Sequence, residues 1–156
     1  MKLYFAYGSN LNQDNMSYRC PDAVAVQSLQ LKGWRLAFSG VATIRPDPAG
    51  TVDGALWAIS DTDEQALDTF EGWPTLYRKE ILSCDGLEFM VYIMNCDQPW
   101  PPGSGYLETI ARGYQDWGLG LDKLAAAVAR NRQDIMDHNG HQSTDTWTHR
   151  LGLIPS

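Results

Sequence analysis

Two places in the chain carry residue types suited to chemistry: Tyr7-Gly8-Ser9-Asn10 near the start, and Glu71 near the middle. In the first, a glycine lets the backbone approach a ligand closely, and successive N–H groups can form an anion cradle. The same four residues also suit an ordinary strand-to-helix turn with Ser9 or Asn10 as helix N-cap. Glu71 precedes Gly72 at the end of a helical pattern, where the partial negative charge of the helix terminus opposes a carboxylate, and it neighbours Phe70 and Trp73. Both surroundings favour the neutral acid. A carboxyl group with proton affinity raised toward neutral pH can take and return a proton, whereas a solvated helix-end glutamate is the plainer reading. Tyr77 opens a strand pattern and Tyr106 a helix pattern. Each phenol can bind a polar substrate end while its ring walls a pocket, and each taken singly is equally a structural residue.

The elements that must position these groups follow from apolar periodicity and turn residues. Leu3 to Ala6 reads as a short central strand ended by the Gly-Ser-Asn signal, and Asn12 or Gln13 to Tyr18 as a short helix stopped by Pro21. Ala23 to Leu31 and Trp34 to Phe38 are expected as strands joined by a tight hairpin at Lys32-Gly33. Ile44 to Gly50, with Pro46 and Pro48, reads as a rigid loop before a strand from Val52 to Ile59. Asp61-Thr62-Asp63-Glu64 has capping-box form, with Asp61 as cap, and Gly72 with Pro74 marks the helix end after Glu71. Tyr77 to Ser83 and Leu87 to Met94 flank the hairpin dipeptide Asp85-Gly86. Ser104 is expected to cap a helix with Leu107, Ile110, Tyr114 and Trp117 on one face; Leu121, Leu124, Val128 and Ile135 stripe another, and both stripes read as core. Strands that succeed one another by hairpins, with helices inserted late, predict an α+β domain that can form a small barrel.

At 156 residues and 44% hydrophobic content, the chain has enough apolar material for one core. Residues 1–138 are therefore expected to form one domain. Residues 139–156, polar and turn-rich up to Thr148, read as a C-terminal extension whose Trp147, Leu151 and Ile154 either dock back or leave it mobile. A net charge of −7, with Lys and Arg scattered, argues against nucleic acid or an anionic membrane surface and favours a small-molecule partner. No apolar run approaches the ~20 residues of a membrane span, and the N-terminal run is short for a signal peptide, so a cytoplasmic location is expected. Cys20, Cys84 and Cys96 fit reduced thiols. His138, His141 and His149 lie in a polar tail, where a His-x-x-His spacing with neither a helix pattern nor a nearby Cys is weak evidence for metal, so neither a metal nor a cofactor is assigned.

The ordered set of these residues resembles a known family. Tyr4-Phe5-Ala6-Tyr7-Gly8-Ser9-Asn10-Leu11 is similar to the N-terminal signature of the γ-glutamylcyclotransferases. Met16 to Pro21, Thr43-Ile44, Gly54 to Trp57, Leu67-Asp68 through Glu71-Gly72, Tyr77-Arg78 and Tyr106 through Gly113 follow in family order, so the resemblance spans about residues 3–130. It implies a small, mixed, mostly antiparallel β-barrel with peripheral helices. It further implies Glu71 as the catalytic acid/base, Tyr7, Gly8, Ser9, Asn10 and Leu11 as the loop holding a γ-glutamyl group, and Tyr77 and Tyr106 as pocket tyrosines. The implied reaction is closure of that group to 5-oxoproline with release of the attached amine. No cofactor is implied, because nucleophile and electrophile share one molecule. The Tyr-Gly-Ser-Asn-Leu form is closer to enzymes of free γ-glutamyl amino acids than to those of γ-glutamylamines. A departure occurs at Gly113-Tyr114, where relatives often carry Gly-Ala. A non-catalytic binding module of the same fold is the alternative.

Overall fold

A computed structural model describes the backbone of residues 1–150 and the side chains through residue 139. Strand β1 (Lys2–Ala6) leads through a 3-10 turn (Ser9–Leu11) into helix α1 (Gln13–Arg19). A long hairpin follows, β2 (Val24–Ser39) and β3 (Val41–Ile59), then α2 (Asp61–Glu71), a second hairpin of β4 (Tyr77–Cys84) and β5 (Leu87–Met94), and helices α3 (Ser104–Asp116) and α4 (Asp122–Arg150). The strands form one mixed sheet in the order β2-β3-β1-β5-β4, in which only the β1–β5 contact is parallel. The expected α+β class and mostly antiparallel sheet are present. The barrel is incomplete, because β2 and β4 remain edges of the sheet.

Curling brings the ends of that sheet together without a continuous ladder. The Met94 amide donates to Thr43 Oγ1 at 3.0 Å, and Cys84 Sγ lies 3.4 Å from the Gln30 carbonyl. Inside the curl, Phe5, Leu31, Phe38, Ile44, Leu56 and Phe89 form a core closed by Ile110 and Tyr114 of α3 and Leu124 of α4. On the other face, Tyr4, Trp57, Met90 and Tyr92 pack with Met16 of α1 and Leu67 of α2. Alternation along β1 divides Tyr4 and Ala6 from Phe5, so five residues serve both cores. Gly54 permits a close approach between strands: a Cβ there would stand 2.4 Å from Phe5 Cζ and 2.5 Å from the Ala6 carbonyl.

Several boundaries differ from the sequence reading, each for a local reason. Gly33 does adopt positive φ (+88°), but it forms a β-bulge inside one strand; the hairpin reverses at Gly40 (φ +82°). The segment with Pro46, Pro48 and Gly50 belongs to β3 and bows out between Pro46, opposite Trp34, and Thr51, opposite Lys32. Prolines are accommodated where regular pairing is already broken. The α2 capping box is displaced by one residue: Ser60 Oγ accepts from the Asp63 amide at 3.1 Å, and Asp63 Oδ2 accepts from the Ser60 amide at 3.2 Å. Gly103, not Ser104, occupies the cap of α3. In the second stripe Leu124 is buried but Leu121 is exposed, because Leu121 precedes the first turn of α4. Helix α4 continues through the stretch expected to be turn-rich; no proline interrupts it, and one interior glycine weakens a helix by only ~1 kcal/mol. The expected docking of Trp147, Leu151 and Ile154 lies outside the described side chains.

Candidate active site

The end of β1 and the 3-10 turn place Tyr7, Gly8, Ser9 and Asn10 along one wall of a cavity of about 270 Å³. Leu11 and Asn12 amides close the turn on the Gly8 and Ser9 carbonyls at 3.1 Å each. The leading amides of such a turn have no partner within it, and the residues that carry them, Ser9 and Asn10, both line the cavity. Capping does not consume their side chains. The N-cap of α1 is Asn12, whose Oδ1 accepts from the Asn15 amide at 3.1 Å, so the cap role considered for Ser9 or Asn10 falls to Asn12. A side chain at Gly8 would press on Ala42 Cβ at 3.2 Å and the Tyr106 hydroxyl at 3.4 Å, so a glycine here lets the loop pack closely against the hairpin turn and α3.

Asn10 is a structural hub. Its Nδ2 donates to Tyr4 Oη at 2.9 Å, its carbonyl accepts from Trp57 Nε1 at 3.2 Å, and Arg19 Nη1 donates to its Oδ1. The loop is thereby fixed to β1, β3 and α1 before any ligand arrives. Leu11 does not reach the cavity: it is fully buried in the core beneath α3, and its carbonyl accepts from Trp117 Nε1 at 2.9 Å. Apolarity and the absence of a polar handle send it inward. Tyr114 is likewise buried in the core and does not line the cavity, so the departure at Gly113-Tyr114 leaves this site untouched. Gly113 itself matters to packing, since a Cβ there would meet the Asn12 amide nitrogen and Leu11 Cβ at 2.6 Å.

Glu71 lines the same cavity as the loop. It ends α2, and Gly72 in the left-handed region (φ +64°) turns the chain away. One turn earlier, Asp68 anchors the helix: Tyr92 Oη donates to it at 2.6 Å and Lys79 Nζ at 3.1 Å, while its carbonyl accepts from the Trp73 amide at 2.9 Å. Burial of the Glu71 carboxyl raises its pKa from 4.5 to about 7, against the opposing pull of the Arg19 guanidinium. The raised proton affinity inferred from the sequence is present, and desolvation is its leading cause.

The two expected tyrosines converge on the turn of the long hairpin. Tyr77 Oη donates to the Ala42 carbonyl at 2.7 Å, and Tyr106 Oη accepts from the Ala42 amide at 2.9 Å. Both rings line the cavity. Burial raises both phenol pKa values, that of Tyr106 to about 12, so each remains neutral at physiological pH. Tyr7 Oη donates to the Tyr92 carbonyl and is also held neutral by burial. Six further wall residues were not assigned to the site from the sequence: Tyr4, Val41, Ala42, Phe70, Leu76 and Tyr92. Tyr4 and Tyr92 carried a detectable signal, aromatic polar groups on strand faces beside the marked loop. Ala42 carried none, because it arrives only through the folding-over of the hairpin.

Among the described residues no group of three or more His, Cys, Asp or Glu side chains is arranged to hold a metal, and no helix is long and apolar enough to cross a membrane. The three cysteines are free thiols.

The chain is similar to known proteins. Gamma-glutamylcyclotransferase of Homo sapiens is 28% identical over 138 residues, spanning 77% of this chain and 73% of that protein. The Bos taurus protein of the same name is 30% identical over the same coverage. A solved structure named gamma-glutamyl cyclotransferase matches with a TM-score of 0.70 and 27% identity, covering 78% of this chain and 82% of its own. The family model described as gamma-glutamyl cyclotransferase, AIG2-like, matches residues 4–115, from β1 into α3, and so includes the residues that line the cavity. The chain belongs to the gamma-glutamyl cyclotransferase, AIG2-like family.

Proposed function

We propose that the protein converts a γ-glutamyl amine or amino acid to 5-oxoproline and the free amine, with Glu71 moving the proton. The observation that carries this reading is the Glu71 carboxyl, with its pKa near 7, in the wall of the cavity that the Tyr7-Gly8-Ser9-Asn10 turn also lines. In the proposed reaction the substrate's α-nitrogen attacks its own γ-carbonyl carbon. A C–N bond closes the five-membered lactam, and the bond to the departing nitrogen breaks. Glu71 accepts the proton lost by the attacking nitrogen and delivers it to the leaving nitrogen, so no net proton is consumed. A general acid/base in such a role contributes typically ~100- to 10,000-fold.

The turn amides at Ser9 and Asn10 are assigned to the polar glutamyl end and to charge developing on the γ-carbonyl oxygen. Gly8 keeps that wall open, while Tyr7, Tyr77 and Tyr106 supply neutral phenols and flat surfaces around the bent substrate. Holding both reacting atoms of one molecule in contact supplies much of the acceleration, up to ~7 to 11 kcal/mol in favourable cases. The test incubates wild type and Glu71→Gln with γ-glutamyl dipeptides and γ-glutamylamines and measures 5-oxoproline and released amine. Product from wild type, with a loss of at least ~100-fold in the variant, is expected. Undiminished turnover by Glu71→Gln refutes the assignment of the base; binding without product identifies a binding module instead.

A further inference from the structure

We propose that a second cavity, apart from the one that holds Glu71, binds a small zwitterion of the α-amino acid type, its carboxylate on Arg35 and Arg45 and its ammonium toward Asp97 and Asp134. This cavity, of about 320 Å³, lies between the β2–β3 hairpin, the loop after β5 and helix α4. Arg35, Arg45, Asp97 and Asp134 line it together with Asn131 and His138. Its lining shares no residue with that of the Glu71 cavity.

The two arginines are placed where they repel each other. Arg35 on β2 and Arg45 on β3 are direct cross-strand partners, so their side chains leave one face of the sheet about 5 Å apart at the base, and like charges so placed are unfavourable. Both are half-buried. The Arg35 guanidinium is held below the ordinary arginine value, first by burial, then by the Arg130 charge and by Arg45, with Asp134 and Asp47 opposing. Among the described residues neither Arg35 nor Arg45 forms an ion pair; Arg45 Nη2 donates to Ser39 Oγ at 3.4 Å. Two neighbouring guanidinium groups with unused donors match a carboxylate, which accepts from both and relieves their repulsion.

The carboxylates come from other elements, each tied to the same hairpin. Ser39 Oγ donates to the Gln98 carbonyl at 2.5 Å, which fixes the loop that bears Asp97 to the end of β2. Asn131 Nδ2 donates to the Phe38 carbonyl at 3.0 Å and the Trp100 carbonyl at 3.3 Å, which fixes α4 to strand and loop, with Asp134 one turn further along. Asp134 meets Arg130 at 4.0 Å in an open contact, and Asp97 forms no ion pair among the described residues. Charges of both signs thus line one cavity without closing on one another. An anion alone would meet Asp97 and Asp134, and a cation alone the arginine pair, so the pattern selects a molecule that carries both. Asn131 Oδ1, enclosed in the same lining, has no hydrogen-bond partner among the described residues. An orphaned buried acceptor and a cross-strand like-charge pair both cost stability, and such local costs gather at functional sites.

The experiment titrates the purified protein with each of the common L-amino acids and follows the backbone amide NMR shifts. At least one is expected to bind with a Kd of ~1 mM or tighter, shifting amides around Arg35, Asp97 and Asn131. N-acetylation, which removes the cation, and amidation of the carboxyl, which removes the anion, are each expected to weaken that amino acid by ~10-fold or more, the loss of a charge-assisted hydrogen bond. Arg45→Gln and Asp97→Asn, changes at partly open positions outside the Glu71 cavity, are each expected to weaken it by a similar factor. Absence of binding by every amino acid at ~10 mM, equal binding of the N-acetyl derivative, or binding unaltered in either variant overturns the proposal. The readout is binding and not turnover, so failure to release 5-oxoproline would overturn the cyclisation reading and leave this site standing.

Discussion

Burial of Glu71 predicts that Glu71→Gln stabilises the protein, and only above the pH at which the carboxyl of the unfolded chain ionises. The folded-state pKa is about 7 against an ordinary value of 4.5, so between those values the native state binds more protons than the unfolded chain. The unfolding free energy therefore falls as pH rises through that window and levels off above it. The difference between those two values, at 1.36 kcal/mol per pH unit, sets an upper bound of ~3.4 kcal/mol. Opening of the carboxyl to the cavity reduces the expected value to ~1–2 kcal/mol. Glutamine has nearly the same shape and carries no titratable proton, so it escapes this penalty. Urea denaturation of both proteins at pH 4, 5, 6, 7 and 8 checks the prediction. The difference in favour of Glu71→Gln is expected to be smallest at pH 4, to grow from about pH 5 to 7, and to be constant by pH 8. A difference independent of pH, or one that shrinks as pH rises, refutes the argument that desolvation poises this carboxyl near neutrality.

Three other outcomes follow from local geometry. Gly54→Ala places a methyl group 2.4 Å from Phe5 Cζ and 2.5 Å from the Ala6 carbonyl, so a loss of ~1–3 kcal/mol in urea denaturation is expected. Asn12→Ala removes the N-cap of α1 and should lower stability by ~1 kcal/mol, seen as a lower Tm. Tyr106→Phe removes the acceptor for the Ala42 amide at 2.9 Å. It should lower stability by ~1 kcal/mol and, by loosening the hairpin turn at the cavity, lower kcat/KM for 5-oxoproline release several-fold; unchanged kinetics would show that this bond does not hold the site.

Features written into short stretches of chain were legible in the sequence. The β1 strand and its turn, the end of α2 after Glu71, and the β4–β5 hairpin at Asp85-Gly86 appear within a residue or so of their expected positions. Each depends on the conformational preferences of a few neighbours. Asp85 and Gly86 both take positive φ (+53° and +78°), as a two-residue hairpin requires. The long hairpin was misread because local rules do not distinguish a glycine that turns a strand from one that bulges it. At Gly33 the choice was made by the partner strand, which continues past the irregularity and pairs again at Pro46.

By itself, the sequence determined which groups could do chemistry: the glycine and following amides of the loop, the helix-end glutamate, and the tyrosines that open β4 and α3. Tertiary structure decided which of them meet and in what state. Glu71 owes its raised pKa to burial by segments distant in the chain, an effect that exists only once water has been displaced from around it. Leu11 sits beside the loop in sequence yet belongs to the core, whereas Ala42 and Leu76 are remote in sequence and stand in the cavity wall. The folded-over hairpin and the anchored end of α2 set those positions, because packing, unlike local preference, is decided by residues far apart along the chain.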